Sequence, residues 1–275
     1  MSATIEATTT GRLGTTTPTT RVAPRQAVRN ALTVAWRNLA AIRHNPLELL
    51  DVSVQPIMFV LLFAFVFGGA MAGSPQAYLE YGLAGIIVQN ALFMSLYTAM
   101  GVNTDLGKGV FDRFRSLPIA RSAPLAGRIA ADVVRQVWGI AVLLGVGMLI
   151  GFRVTTGLPE VLLATGLVVL FVIAFSWFPL LIGIKVDSPE KVQMFGFVLV
   201  FPLTFASGAF VQVDTMPGWL QGFVRVNPVT QLSDAVRALL TGGAWGEPAL
   251  ISLLWAVGFA AVFAPLAIRA LRRRA

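Results

Sequence analysis

From Val52 to Leu79 the chain runs 28 residues without a charged side chain. Five further stretches behave in the same way: Tyr81–Thr104, Gln136–Phe152, Val161–Ile184, Val192–Val213 and Pro248–Ile268 carry none over 17 to 24 residues each. A helix that crosses about 30 Å of hydrocarbon needs about 20 mostly apolar residues. The pattern therefore predicts an all-α integral membrane protein with six transmembrane helices, at about 51–72, 81–103, 131–152, 160–184, 191–212 and 248–268. Composition agrees, since 56% of residues are hydrophobic and only 12% charged, against about 25% charged in a soluble domain. Such a surface cannot be kept in water. Disorder over the whole chain is excluded by the same abundance of apolar surface.

The few charges are sorted by position. Of 21 Lys and Arg, 18 fall before the first span, in 105–135, in the turn at Lys185 and Lys191, or after Ile268. Only Arg153, Arg225 and Arg237 lie in the alternate loops. The positive-inside rule then places both termini in the cytoplasm, which an even number of spans also requires. The net charge of +8 thus reads as topology and attraction to anionic lipid, not as nucleic-acid binding. Tyr78, Tyr81, Trp219 and Trp245 fall at the expected outer boundary, where amphipathic aromatics belong.

Outside the spans, nine of the first twenty residues are Thr, and residues 1–24 are expected to form a disordered cytoplasmic tail. Over 25–45, Val28, Leu32, Ala35, Leu39 and Ile42 form one helical stripe, with Arg25, Arg29, Arg37 and Arg43 mostly off it. This is the pattern of a basic helix in the membrane interface. Residues 271–275 form a basic cytoplasmic tail, which leaves 25–270 as one membrane domain. The long loop 105–129 carries a short helix around Lys108–Ser116. The loop 214–247 carries two more, at Pro217–Arg225 and Val229–Leu240, expected at or dipping into the outer interface.

Catalytic motifs fail. Gly101–Gly109 lacks both the Gly spacing and the hydroxyl of a phosphate-binding loop. His44 is the single His and there is no Cys, so a His dyad, a Cys-ligated metal and a disulfide framework are all excluded within one chain. Asp51, Glu80, Asp105, Asp132, Asp187 and Asp214 sit at span ends or in loops. No ionisable group is left at mid-membrane depth for ion coupling. Ser95, Ser176 and Ser207 have no His to activate them. If the chain moves a solute, the energy comes from elsewhere.

The span interiors are aromatic and sparsely polar: Gln89, Asn90, Phe93, Met94 and Tyr97 in the second, Gln193, Phe195, Phe197, Phe201 and Phe205 in the fifth. Two readings stay open. These residues serve helix packing and lipid contact, or they line a route for an apolar or amphipathic compound.

Several runs together carry a family resemblance. They are His44-Asn45-Pro46-Leu47-Glu48-Leu49-Leu50 with Gln55-Pro56 and Phe67-Gly68-Gly69; Phe111-Asp112-Arg113-Phe114-Arg115-Ser116-Leu117-Pro118-Ile119-Ala120-Arg121-Ser122; Phe201-Pro202-Leu203-Thr204-Phe205; Met216-Pro217-Gly218-Trp219-Leu220; and Asn227-Pro228-Val229-Thr230. Over roughly 26–270 the chain resembles ABC-2-type exporter permeases, and within them the daunorubicin/doxorubicin-resistance group. Gln212 departs from the pattern, which has Pro after Phe-Val.

The resemblance implies an ABC-2 permease fold with an N-terminal amphipathic connecting helix, a cytoplasmic coupling helix and short outer-side helices. It implies that Lys108, Phe111, Asp112, Arg113, Phe114 and Arg115 dock a separate ATPase subunit. It also implies that the second and fifth spans line the path between two permease copies, with Gln89, Asn90, Phe93, Met94, Tyr97, Phe197, Phe201 and Phe205 as path candidates. The expected assembly is two permeases with two ATPases in the cytoplasmic membrane of a prokaryote, surrounded by lipid. ATP and Mg would be bound in the ATPase, with no cofactor or metal on this chain. The implied cargo is a hydrophobic drug, antibiotic or lipid-like compound, and the expected role is a transport permease rather than an enzyme. Export of polysaccharide or glycolipid is the alternative, and a non-transporting membrane enzyme or scaffold a remote one.

Overall fold

The computed structural model describes residues 46–109 and 123–274. The expected Thr-rich tail, the basic interface helix at 25–45 and residues 111–115 of the coupling segment lie outside these. The described residues are mostly helical, with no strand among them. Five stretches are long and apolar enough to cross a membrane: Ser53–Ala72, Pro75–Gly107, Ala131–Ile150, Leu158–Lys185 and Gly246–Leu271.

The first crossing is composite. Helix α1 (Pro46–Leu61) passes into a π-helical turn at Leu62–Phe67, then α2 (Gly68–Ala72). Gly73 ends it in the left-handed region at φ 78°, a conformation that costs glycine little. Ser74 then caps α3 (Pro75–Gly107) by accepting the Ala77 N–H at 3.1 Å, with Pro75 in the first turn, where its missing N–H costs nothing. At 33 residues, about 50 Å long, α3 is the axis of the molecule. Two-thirds of its apolar window is buried, against 17% for the last helix. Leu79, Leu83, Ile86, Ile87, Val88 and Leu92 are all at most 1% exposed. A helix apolar on every side and buried on most of them belongs at the centre of a bundle.

Helix α4 (Ala123–Ile150) packs beside α3. Its end is a Schellman-type stop, with Phe152 N–H reaching back to Gly147 O at 2.9 Å and Gly151 at φ 125°. The fourth span is broken into α5 (Leu158–Phe175) and α6 (Trp177–Lys185). Pro179 is the cause. It cannot donate to Phe175 O, and its ring clashes with that carbonyl. The Ser176 hydroxyl turns inward to Val172 O at 2.6 Å.

The fifth expected span, 191–212, holds a shorter helix, α7 (Pro189–Phe205), of 17 residues. Pro202 lies inside it, and the chain leaves the helix at Ala206. Most of the last carbonyls are nonetheless used: Pro202 O accepts Ala206 N–H, Thr204 O accepts the Ser207 hydroxyl, and Leu203 O and Ala206 O both accept the Asn227 side-chain amide. A short 3-10 turn (Val213–Thr215) leads to α8 (Gly218–Val226) and α9 (Pro228–Thr241).

The two short helices differ. α8 is amphipathic, with Trp219, Phe223 and Val226 exposed and Val224 buried. α9 is buried against its neighbours over much of its length. Val229, Leu232, Ala235, Val236, Leu239 and Leu240 are at most 2% exposed, and the helix packs on α3, α5 and the last helix, α10 (Gly246–Arg274). At the opposite end of the molecule, the buried Asn103 amide donates to Gly183 O and Val186 O, both at 2.8 Å. Arg274 donates to Ile184 O and to Val186 O. These contacts tie the end of α10 to the turn between α6 and α7.

Candidate functional site

A groove of about 320 Å³ runs between α1, α3 and α7. From α3 it receives Ile86, Gln89, Asn90, Phe93, Leu96, Tyr97 and Met100. Their spacing of three and four puts them on one face of a helix. From α7 it receives Gln193, Phe197, Phe201 and Phe205, one ridge at a strict interval of four. α1 adds Gln55, Pro56 and Phe59. The two long walls touch where Leu96 lies on Gly196: a Cβ there would come within 2.5 Å of Leu96 Cδ2.

The aromatic rings form a continuous series. Phe93 meets Phe197 at 5.8 Å between centroids, followed by Phe197–Phe201 at 5.0, Phe201–Phe205 at 4.2, Phe205–Phe210 at 5.2 and Phe210–Phe63 at 5.0 Å. The series leaves the groove at Phe205 and ends against the π-helical turn. Aromatic faces bind flat apolar matter without demanding fixed hydrogen bonds. Tyr97 is 59% exposed and Phe201 38%, so these rings are open to an incoming molecule, unlike the core pair Phe171 and Phe175.

Among the described residues, the lining carries no Asp, Glu, Lys, Arg or His. Its polar groups are the Tyr97 hydroxyl and four amides: Gln55, Gln89, Asn90 and Gln193. Asn90 points its N–H to Met94 Sδ at 3.8 Å. The structure thus brings seven of the eight path candidates together and leaves one out: Met94 is turned towards Gly139 of α4. Among the coupling residues, Lys108 closes the C-terminal end of α3, its N–H on Thr104 O at 3.0 Å, and does not line the groove. Phe111, Asp112, Arg113, Phe114 and Arg115 lie outside the described residues. Ile86 and Met100 were missed, although they continue the Gln89–Phe93–Tyr97 stripe by one turn each way. Gln55, Pro56 and Phe59 carried no such signal, because α1 meets α3 only through the fold.

Beyond Phe205 the groove is closed by a polar knot. Tyr81 donates its hydroxyl to Gly208 O at 2.8 Å and Val211 O at 3.2 Å. Arg237 lies 3.7 Å over the Tyr81 ring, donates from Nε to Tyr81 O at 2.9 Å, and pairs with Asp234. Burial pushes the Asp234 carboxyl above its usual range, and the neighbouring Arg237 opposes that shift. Thr230 Oγ1 accepts the Gly208 N–H at 2.9 Å.

A bundle of long apolar helices defines a multi-pass membrane protein, here with an aromatic groove between α1, α3 and α7. Comparison with known proteins makes the class specific. The family of ABC-2 type transporters matches residues 29–241, and the chain belongs to it. It is similar to the daunorubicin resistance ABC transporter permease protein DrrB1 of Streptomyces coeruleorubidus, with 39% identity over 92% of this chain and 90% of the relative. It is also similar to the probable doxorubicin resistance permease DrrC of Mycobacterium tuberculosis, with 27% identity over 91% of both chains. A putative transport permease of Cyanophora paradoxa shares 25% identity over 79% of this chain and 76% of its own.

Proposed function

We propose that this chain is the membrane-spanning permease subunit of an ATP-driven exporter and that the α1–α3–α7 groove receives its cargo. The observation that carries this is the groove itself: about 320 Å³ of aromatic and amide surface with no charged side chain. That size suits a drug-sized molecule, and the lining suits a hydrophobic or amphipathic one. The absence of any carboxylate from the lining gives an ion gradient no handle there, so the work is assigned to a separate ATPase subunit that binds ATP and Mg. The segment around Lys108–Arg115 is the proposed docking element, where charged residues such as Asp112, Arg113 and Arg115 would set register. Two permeases with two ATPases complete the proposed assembly, with both termini of each permease in the cytoplasm, as the basic surplus there favours.

The test is efflux from inverted membrane vesicles holding the chain and its co-expressed ATPase. ATP should drive uptake of a hydrophobic fluorescent dye, and Phe201→Ala should reduce it at least several-fold while leaving ATPase binding intact. Reversing charge at Arg113 and Arg115 should instead abolish co-purification of the ATPase. Dye movement driven by an ion gradient without the ATPase would overturn the proposal, and ATP-driven movement of a labelled glycolipid in place of the dye would redirect it to glycolipid export.

A further inference from the structure

Among the groove's four amides, one stands apart. Gln89 is only 4% exposed, lines the groove, and makes no hydrogen bond to another described residue, while its amide atoms are not wholly enclosed. Asn90 is turned to Met94, while Gln55 and Gln193 are exposed at the rim. Gln89 is the fifteenth of the 33 residues of α3, close to the middle of a membrane-crossing helix and far from bulk water at either end. A largely buried amide held there without a protein partner gains less than an apolar residue of the same shape unless what fills the groove hydrogen-bonds it. Its neighbours Ile86 and Phe93 are apolar, so packing alone would be better served by Leu or Met.

We infer that Gln89 is the specificity-determining residue of the groove: it hydrogen-bonds the polar edge of an otherwise aromatic cargo. A primary amide presents a donor and an acceptor side by side. Its complement is a neutral cargo edge with an acceptor beside a donor, as in a lactam or a hydroxyl next to a ketone. Such an edge makes two parallel hydrogen bonds with Gln89 while the cargo's rings lie on Phe93 and Phe197. A site built to hydrogen-bond discriminates strongly against an analogue that leaves its polar group unpaired. Charge on the cargo is not read at this point, because no carboxylate faces it.

This inference rests on the groove's being the cargo site, and the experiment separates the two. The full chain in lipid nanodiscs is titrated with tritiated carbostyril, a two-ring aromatic lactam, and with N-methylcarbostyril, which lacks the donor. Wild type is expected to bind the lactam about tenfold more tightly, equivalent to about 1.4 kcal/mol. Gln89→Leu should weaken lactam binding to within about twofold of the methylated probe, leave the methylated probe unchanged, and keep or raise the melting temperature. A purely structural glutamine would instead lower the melting temperature and weaken both probes. Gln89→Met repeats the measurement if the Leu variant does not fold. Phe197→Ala should weaken both probes equally and preserve their ratio. If Phe197→Ala changes neither affinity, the groove reading fails. If it weakens both while Gln89→Leu preserves the ratio, only the assignment to Gln89 fails. Equal binding of both probes by wild type, or no binding of either, also overturns the assignment.

Discussion

The groove and the polar knot beyond it both set the 189–212 stretch against α3, yet they are built in opposite ways. At the knot, backbone approaches backbone: Gly85 lies so close to Ala209 that a Cβ would come within 1.9 Å of its carbonyl oxygen. Many of the polar atoms there are taken up, with Tyr81, Arg237, Asn227 and Thr230 each on a backbone partner, although the nearby Tyr78 and Ser233 hydroxyls are buried without one. One turn further along α3 the contact opens into rings and amides, and Gln89 is left without a partner. A dense hydrogen-bond network in a low-dielectric site is stiff and costly to open. Ring faces without directional bonds can part and re-form. The difference suits the knot to holding the hairpin of α8 and α9, and the groove to the cargo role proposed for it.

The strongest way to break this comparison is Gly85→Val. The branched side chain has no room, since the nearest atom is backbone and cannot rotate aside. Overpacking costs typically about 1–3 kcal/mol, and a backbone obstacle puts this variant at the top of that range or above. Gly145→Ala is the matched control, because its Cβ would meet nothing within 4 Å. Thermal unfolding in detergent should show a large fall for Gly85→Val and none for Gly145→Ala. Equal melting temperatures would show that the knot is loose.

How much of this was legible in the sequence follows from what each feature depends on. The charge-free stretches are dictated by hydrocarbon, so five of the helices appear where the charges stop. The groove was largely legible too: Phe197, Phe201 and Phe205 recur every four residues, and Gln89 and Asn90 stand out as amides in an apolar run. Met94 was misplaced because it is one residue off that face, turned to α4. The break at Ser176 follows from Pro179, whose effect on the preceding turn is local. The burial of α9 was not legible. Its stripe of Val229, Leu232, Val236 and Leu239 marks one apolar face. The opposite side carries Thr230 and Arg237, which read as surface residues until Gly208 and Tyr81 supply their partners. Those partners lie between 22 and 156 residues away in sequence, beyond the reach of periodicity.

Asn227→Ala sharpens the comparison with a smaller effect. Asn227 is 3% exposed, donates to Leu203 O and Ala206 O and accepts the Val229 N–H. Its loss removes the cap of α9 and strands two carbonyls at the end of α7, where Pro202 has already thinned the helix. About 1–3 kcal/mol is expected from the unsatisfied groups. The telling readout is local. Hydrogen exchange should rise in 203–212 and at the start of α9, while the centre of α3 stays protected. A uniform rise would mean that knot and groove unfold as one unit.

The smallest expected effect is at Gln212, where the related permeases' pattern has Pro. Its backbone lies at φ −61° and ψ 133°, a conformation that proline already prefers. Its carbonyl, which proline keeps, accepts from Thr215 N–H and from the Thr215 hydroxyl at 2.7 Å. Gln212→Pro therefore removes freedom from the unfolded chain without disturbing those contacts. A compatible proline is worth about 0.4–1 kcal/mol, and a melting temperature one or a few degrees higher is expected. The same substitution should leave probe affinity in the groove unchanged, since the segment it stiffens is already held by Tyr81 and Thr230. A loss of stability would show that the 206–212 segment leaves this conformation in the folded protein, and that the knot moves with the groove.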